Sequence, residues 1–152
     1  MNLDQFVKLS IVEDVKEGDH STLSCIAGNK TGCAELLVKE SGIIAGIKVA
    51  KCIFEIFDNN IKFNAFLNDG QDVKNGDVAF EVSGSSQSIL TIERLVLNVM
   101  QRMSAISTLT KKYVKEIDGL KTKILDTRKT TPLNRFLEKE AVKIGGGYNH
   151  RF

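Results

Sequence analysis

Apolar residues at helical spacing alternate with short stretches of every-other-residue alternation through most of the chain. Leu3, Phe6, Val7 and Ile11 fall on one helical face behind Asn2, a favoured capping residue, and predict a first amphipathic helix that serves as packing material. The polar stretch from Glu13 to Ser24 follows, with Gly18-Asp19 as a loop or cap. Ala34, Leu36 and Val38 alternate as a strand does, and Ile43 to Ala45 form a short apolar run after Ser41-Gly42. The period then returns to that of a helix at Val49, Ala50, Ile53, Phe54 and Phe57, closed by the turn residues Asp58-Asn59-Asn60. Ile61, Phe63, Ala65 and Leu67, then Val78, Phe80 and Val82, predict two further strands, separated by the Asn68-Asp69-Gly70 turn.

From Ile92 a long helix is predicted, its apolar positions running through Leu95, Val96, Val99, Met100, Met103, Ile106, Leu109, Tyr113 and Ile117 to Gly119. The Ser- and Thr-rich segment from Ser104 to Thr110 marks a bend or break in it. Ile124 and Leu125 form a minimal strand ending in a cationic turn, and Leu133, Phe136, Leu137, Ala141 and Ile144 predict a last helix. For that helix Thr131 is the expected cap, Pro132 the first helical residue and Gly145 the residue beyond the end. A strand, a polar turn and a helix make a β-α unit. The expected architecture is an α+β amino-terminal domain over residues 1–105, followed over 106–152 by the start of a β/α barrel.

Composition changes this picture little. The chain has 152 residues, 42% hydrophobic and 26% charged, enough to bury a real core in one domain or in one domain and part of another. It opens without a basic and then apolar leader and holds no apolar run of membrane-spanning length, so no membrane partner is expected. Cys25, Cys33 and Cys52 form no Cys-x-x-Cys pair, and an odd number cannot all pair; free thiols in a reducing cytoplasm are expected.

Charge is more informative. Residues 1–110 hold 10 Lys/Arg against 14 Asp/Glu, whereas residues 111–152 hold 11 against 5. The carboxyl-terminal part is therefore the sink for anions. Nucleic acid is not the expected anion, because the basic residues are not interleaved with stacking aromatics. The cluster Gly18-Asp19-His20-Ser21-Thr22 has the residue types of a hydrolase triad, but triads are assembled from positions distant in sequence, so a loop or cap is the better reading. The turns between Asp69 and Gly84 are similar to those of biotinyl and lipoyl carrier domains; they lack the lysine such a carrier presents at a hairpin tip.

Three segments, Asp126-Thr-Arg-Lys-Thr-Thr-Pro132, Leu137-Glu-Lys-Glu-Ala-Val142 and Gly145-Gly-Gly-Tyr-Asn-His-Arg-Phe152, together with Glu93-Arg94, Glu13-Asp14 and Gly18-Asp19, resemble quinolinate phosphoribosyltransferase, also called carboxylating nicotinate-nucleotide pyrophosphorylase. The resemblance covers essentially the whole chain. It departs at Leu133-Asn134, where many members have Gly-Leu, and in length, since the chain is roughly half the family's usual span.

The resemblance implies attack by the ring nitrogen of quinolinate on phosphoribosyl pyrophosphate, yielding nicotinate mononucleotide, pyrophosphate and carbon dioxide in NAD biosynthesis. It implies Arg128 and Arg151 as carboxylate clamps, His150 beside them, Lys129 toward substrate or donor, and Arg94 entering from the neighbouring subunit of a homodimer. It also implies Mg²⁺ accompanying the donor, with metal ligands outside this chain. The alternatives are a non-catalytic dimerising or ligand-binding fragment of the family, or a homologue associated with molybdenum transport.

Overall fold

The computed structural model describes residues 2–151. Helix α1 (Leu3–Val15) begins at Asn2, whose side chain accepts from the Gln5 N–H while Gln5 reaches back to the Asn2 N–H, a reciprocal capping box. Asp19 caps a short α2 (His20–Cys25) through the Thr22 N–H and hydroxyl. The Gly-Asp-His-Ser-Thr cluster is thus a helix start. The hydrogen bonds from Thr22 hold the Asp19 carboxyl below its usual range.

Strands β1 (Thr31–Leu37), β3 (Lys62–Ala65) and β5 (Val78–Ser85) form one antiparallel sheet in the order β1-β5-β3. β2 (Gly42–Ile43) and β4 (Asp72–Val73) pair separately. β1 is an edge strand, and of its expected apolar face Ala34 is exposed and Leu36 only half-buried. Between these strands α3 (Ile47–Phe57) buries Val49, Ala50, Ile53 and Phe54. Its first N–H groups have no cap from their own segment; Asp69, from the turn before β4, accepts from Ile47 at 2.8 Å. The Asp69-Gly70 turn therefore serves as a remote helix cap.

Helix α4 (Ser86–Glu116) runs through the middle of the molecule and packs against α1, α2, α3 and α5. It differs from expectation at both points the sequence raised. It starts at Ser86, not near Ile92, because Ser85 ends β5 and at once caps the helix through the Ser88 N–H. It also passes through Ser104–Thr110 without a break. The hydroxyls there bond outward across the packing: Ser104 donates to the Ala45 carbonyl at 3.1 Å, Thr108 accepts the Ile43 N–H at 2.8 Å, and fully buried Ser107 donates to the Ala141 carbonyl at 2.8 Å. Polar residues that weaken an isolated helix here fasten it to its neighbours.

Helix α5 (Arg135–Ile144) is the last element. It begins later than expected: Thr131 to Asn134 form a turn closed by the Asn134 N–H on the Thr131 carbonyl, and Pro132 lies in that turn instead of the first helical position. The cause is Leu133, at a left-handed φ of +64°. Left-handed backbone costs a residue with a side chain about 1–2 kcal/mol, and Leu133 is 72% exposed, so little packing offsets it. Leu133→Gly is expected to stabilise the chain by roughly 0.5–1 kcal/mol after glycine's own unfolded-state entropy is counted. Denaturant midpoints of the two proteins check this; a lower midpoint for the glycine variant would contradict it.

Beyond α5 the three glycines are structural. A Cβ on Gly145 would lie 2.4 Å from the Ser107 carbonyl oxygen, so this glycine lets α5 close onto α4, and Gly146 adopts φ +90°. The chain then returns beside Leu125. Tyr148 and Leu125 form a parallel bridge, with Asp126 N–H on the Tyr148 carbonyl and Tyr148 N–H on the Ile124 carbonyl, both at 2.9 Å. This bridge and α5 make a single β-α-β unit.

Candidate functional site

The parallel bridge fixes where the candidate cations go. Arg128 and Lys129 follow Leu125 closely, and His150 and Arg151 follow Tyr148. Both pairs therefore leave the same, carboxyl-terminal edge of adjacent parallel strands, the edge at which β/α barrels place their chemistry. All four side chains are exposed. The first arm is shaped locally: the Thr127 hydroxyl accepts the Lys129 N–H at 3.1 Å, and the Arg135 guanidinium donates to the Thr130 hydroxyl at 3.3 Å. On the second arm the His150 N–H donates to Asp126 Oδ1 at 2.9 Å, which ties one arm to the root of the other.

Beneath this rim lies a buried network that the sequence reading missed. The Asp126 carboxylate, 2% exposed, pairs with the Lys139 ammonium, 1% exposed, from the middle of α5. With its amide nitrogen turned toward them, Asn149 donates to Asp126 Oδ2 at 2.8 Å and to the Lys139 carbonyl at 3.0 Å. Burial pushes the Asp126 carboxyl up, but the His150 N–H and the Lys139 ammonium outweigh it and hold the group below the usual carboxylate range. A second pair begins one residue earlier in α5. Glu138, its side chain 10% exposed, accepts from Arg102 of α4 at 2.8 Å and from the Thr131 N–H at 3.4 Å. Burial raises Glu138, and these donors bring it below its ordinary value. The only signal in the sequence was charge on the buried face of α5, where Leu137, Glu138, Lys139 and Ala141 are all covered.

Arg94 stands apart. It is exposed on α4 and lowers the Asp19 carboxyl, and among the described residues no hydrogen bond or ion pair joins it to the other four. A hollow of about 270 Å³ between α4 and the rim is lined by Lys129, Thr127, Thr130 and Tyr113, with Asp126 and Lys139 at its edge. A larger cleft of about 850 Å³ between α1, α4 and the Thr131–Asn134 turn holds none of the five candidates. Among the described residues no group of three or more His, Cys, Asp or Glu could hold a metal ion. No helix is long and apolar enough to cross a membrane. All three cysteines are free.

The profile described as quinolinate phosphoribosyl transferase, N-terminal domain, matches residues 19–104, and that of the C-terminal domain matches residues 106–152. The chain is 41% identical over its full length to a probable nicotinate-nucleotide pyrophosphorylase [carboxylating] of Bacillus subtilis, covering 52% of that protein. It is 42% identical over 99% of its length to quinolinate phosphoribosyltransferase [decarboxylating] 2b, mitochondrial, of Nicotiana tabacum, covering 42% of it. Among solved structures, NadC of Streptococcus pyogenes superposes with a TM-score of 0.95 at 39% identity, over 98% of this chain and 53% of that one. The nicotinate-nucleotide pyrophosphorylase of Francisella tularensis gives 0.91 at 38% identity, over 98% and 53%. The chain thus spans about half the length of these relatives. Its architecture is the α+β domain followed by the start of the barrel, and with both domain profiles matched in order the chain belongs to the quinolinate phosphoribosyl transferase family.

Proposed function

We propose that this chain supplies the dicarboxylate-binding rim of a quinolinate phosphoribosyltransferase. The observation that carries the reading is the parallel bridge between Leu125 and Tyr148, which brings Arg128, Lys129, His150 and Arg151 to one edge. Quinolinate carries two carboxylates, and removing an unpaired charge from water costs several kcal/mol. Converging cations offset that cost. Arg128 and Arg151 have the planar donor geometry for bidentate pairing, Lys129 offers a point charge toward substrate or the donor's phosphates, and His150 adjoins Arg151 in the chain.

In the reaction this family implies, the pyridine nitrogen forms a bond to the anomeric carbon of phosphoribosyl pyrophosphate as the bond to pyrophosphate breaks. The ring carboxylate next to that nitrogen then leaves as carbon dioxide, its electron pair stays on the ring carbon, and a proton replaces it. Cations around the substrate hold it for attack. The donor would arrive with Mg²⁺ as part of the substrate, and the three free cysteines support work in a reducing compartment such as the cytoplasm.

Titration with quinolinate tests the reading: heat that weakens with added salt is expected, since part of the attraction is screened. No binding at low salt would refute it. The second reading is a binding or dimerising module of the family without turnover, for which the exposed Leu90 and Leu97 of α4 offer a surface. Formation of nicotinate mononucleotide at high protein concentration decides between the two.

The assembly is a homodimer in this proposal. Helix α4 leaves Leu90 and Leu97 40% and 49% exposed beside Arg94, an apolar surface beyond what its inward face uses. A partner subunit there would also bring in the Arg94 that this chain keeps away from its own rim. Sedimentation at tens of micromolar, the order at which weak interfaces fill, should show a dimer; monomer alone would contradict it.

A further inference from the structure

We propose that Asp126 and Lys139 are positioning residues of the anion-binding rim, acting through His150 and Arg128 without touching the ligand. The inference rests on the dicarboxylate reading of that rim. Asp126 sits at the junction of both arms: two residues before Arg128 along the chain, and hydrogen-bonded through Oδ1 to the His150 N–H at 2.9 Å. Its other oxygen faces Lys139 and the Asn149 amide. One carboxylate therefore fixes the start of the first arm, the backbone of the second, and the helix between them.

A buried ion pair adds little over an apolar pair of the same size, so holding α5 in place does not call for charge here. An apolar residue at 126, however, could not accept the His150 N–H, and the second arm would lose its anchor. An unpaired carboxylate beneath the exposed cations Arg128, Lys129 and Arg151 would oppose anion binding, and the Lys139 ammonium cancels it, leaving the rim's positive charge for the ligand.

The test compares wild type, Asp126→Asn and Ile53→Ala, the last a fully buried core residue of α3 remote from the rim. Amide exchange at His150 and the affinity for quinolinate are measured under conditions where each protein is folded. In Asp126→Asn the amide nitrogen would face the donors Lys139 and Asn149. His150 exchange should rise at least about tenfold and affinity fall by on the order of tenfold, the scale of one buried hydrogen bond left unmade. Ile53→Ala should lose stability with both readouts unchanged. If Asp126→Asn does not fold, Asn149→Ala removes one donor to the same carboxylate and should move both readouts in the same direction by a smaller factor. Unchanged His150 exchange in the folded variant, or an equal loss of affinity in Ile53→Ala, would overturn the proposal. Absence of quinolinate binding by wild type would defeat the reading of the rim, and His150 exchange would still decide the positioning role.

Discussion

Replacing Lys139 with methionine is expected to cost roughly 3–5 kcal/mol of folding stability, the range for removing one member of a buried ion pair. The variant leaves the Asp126 carboxylate, 2% exposed, without its counter-charge. Methionine nearly matches the lysine stem in volume, so lost packing contributes little. A double variant, Asp126→Leu with Lys139→Met, should recover most of the loss because no uncompensated charge remains.

The dependence on pH has a definite sign. Asp126 is held below its ordinary value of 3.8, so its ionised form stabilises the fold above that pH. As pH falls beneath 3.8 and through the lower folded value, the carboxylate takes up a proton and this contribution disappears. Glu138, held below 4.5, acts in the same direction and begins to lose its contribution slightly earlier. The gap between wild type and Lys139→Met should therefore be full at neutral pH and narrow below pH 3.8. Denaturant unfolding at neutral and acid pH measures it. A loss below about 1 kcal/mol, the scale of an exposed pair, or a gap independent of pH, would show that the pair is not the buried one described.

The second large effect belongs to binding. Arg128→Ala should weaken quinolinate binding by roughly 2–5 kcal/mol, as expected when one partner of a charge-assisted, bidentate contact is removed. The same substitution at exposed Lys74, distant from the rim in sequence, should cost about 0–1 kcal/mol. Arg128 is exposed and donates no side-chain hydrogen bond within the chain among the described residues, so its loss should leave stability nearly unchanged. That separation of affinity from stability distinguishes it from Lys139.

The elements with a clean period were legible. α1 and α3 carry apolar residues at helical spacing, and β5 alternates around Phe80. α2 was not legible, because six residues with one buried side chain give no period. The start of α4 was hidden by Ser86 and Ser88, residues that read as loop until Ser85 is seen to cap them. Pro132 misplaced the start of α5, since proline suits a helix's first turn and a tight turn equally. The left-handed backbone of Leu133 is a tertiary fact with no local signal.

Arg128, Lys129, His150 and Arg151 could be named as candidates from the sequence because a motif holds them at fixed spacing. The parallel bridge that joins them was not legible, resting on a single residue pair. Asp126 and Lys139 were illegible for a different reason. Oppositely charged residues far apart in sequence normally lie on the surface, and only the closing of α5 onto the strand pair buries these two together.

The proposed rim requires its two arms to converge on one dicarboxylate. Calorimetric titration of wild type with quinolinate, and with nicotinate as the matched monocarboxylate, tests it most directly. Quinolinate should bind more tightly, lose that binding more steeply with salt, and lose its advantage in Arg128→Ala. Equal affinities for the two ligands, or a preference for quinolinate that survives in Arg128→Ala, would contradict it.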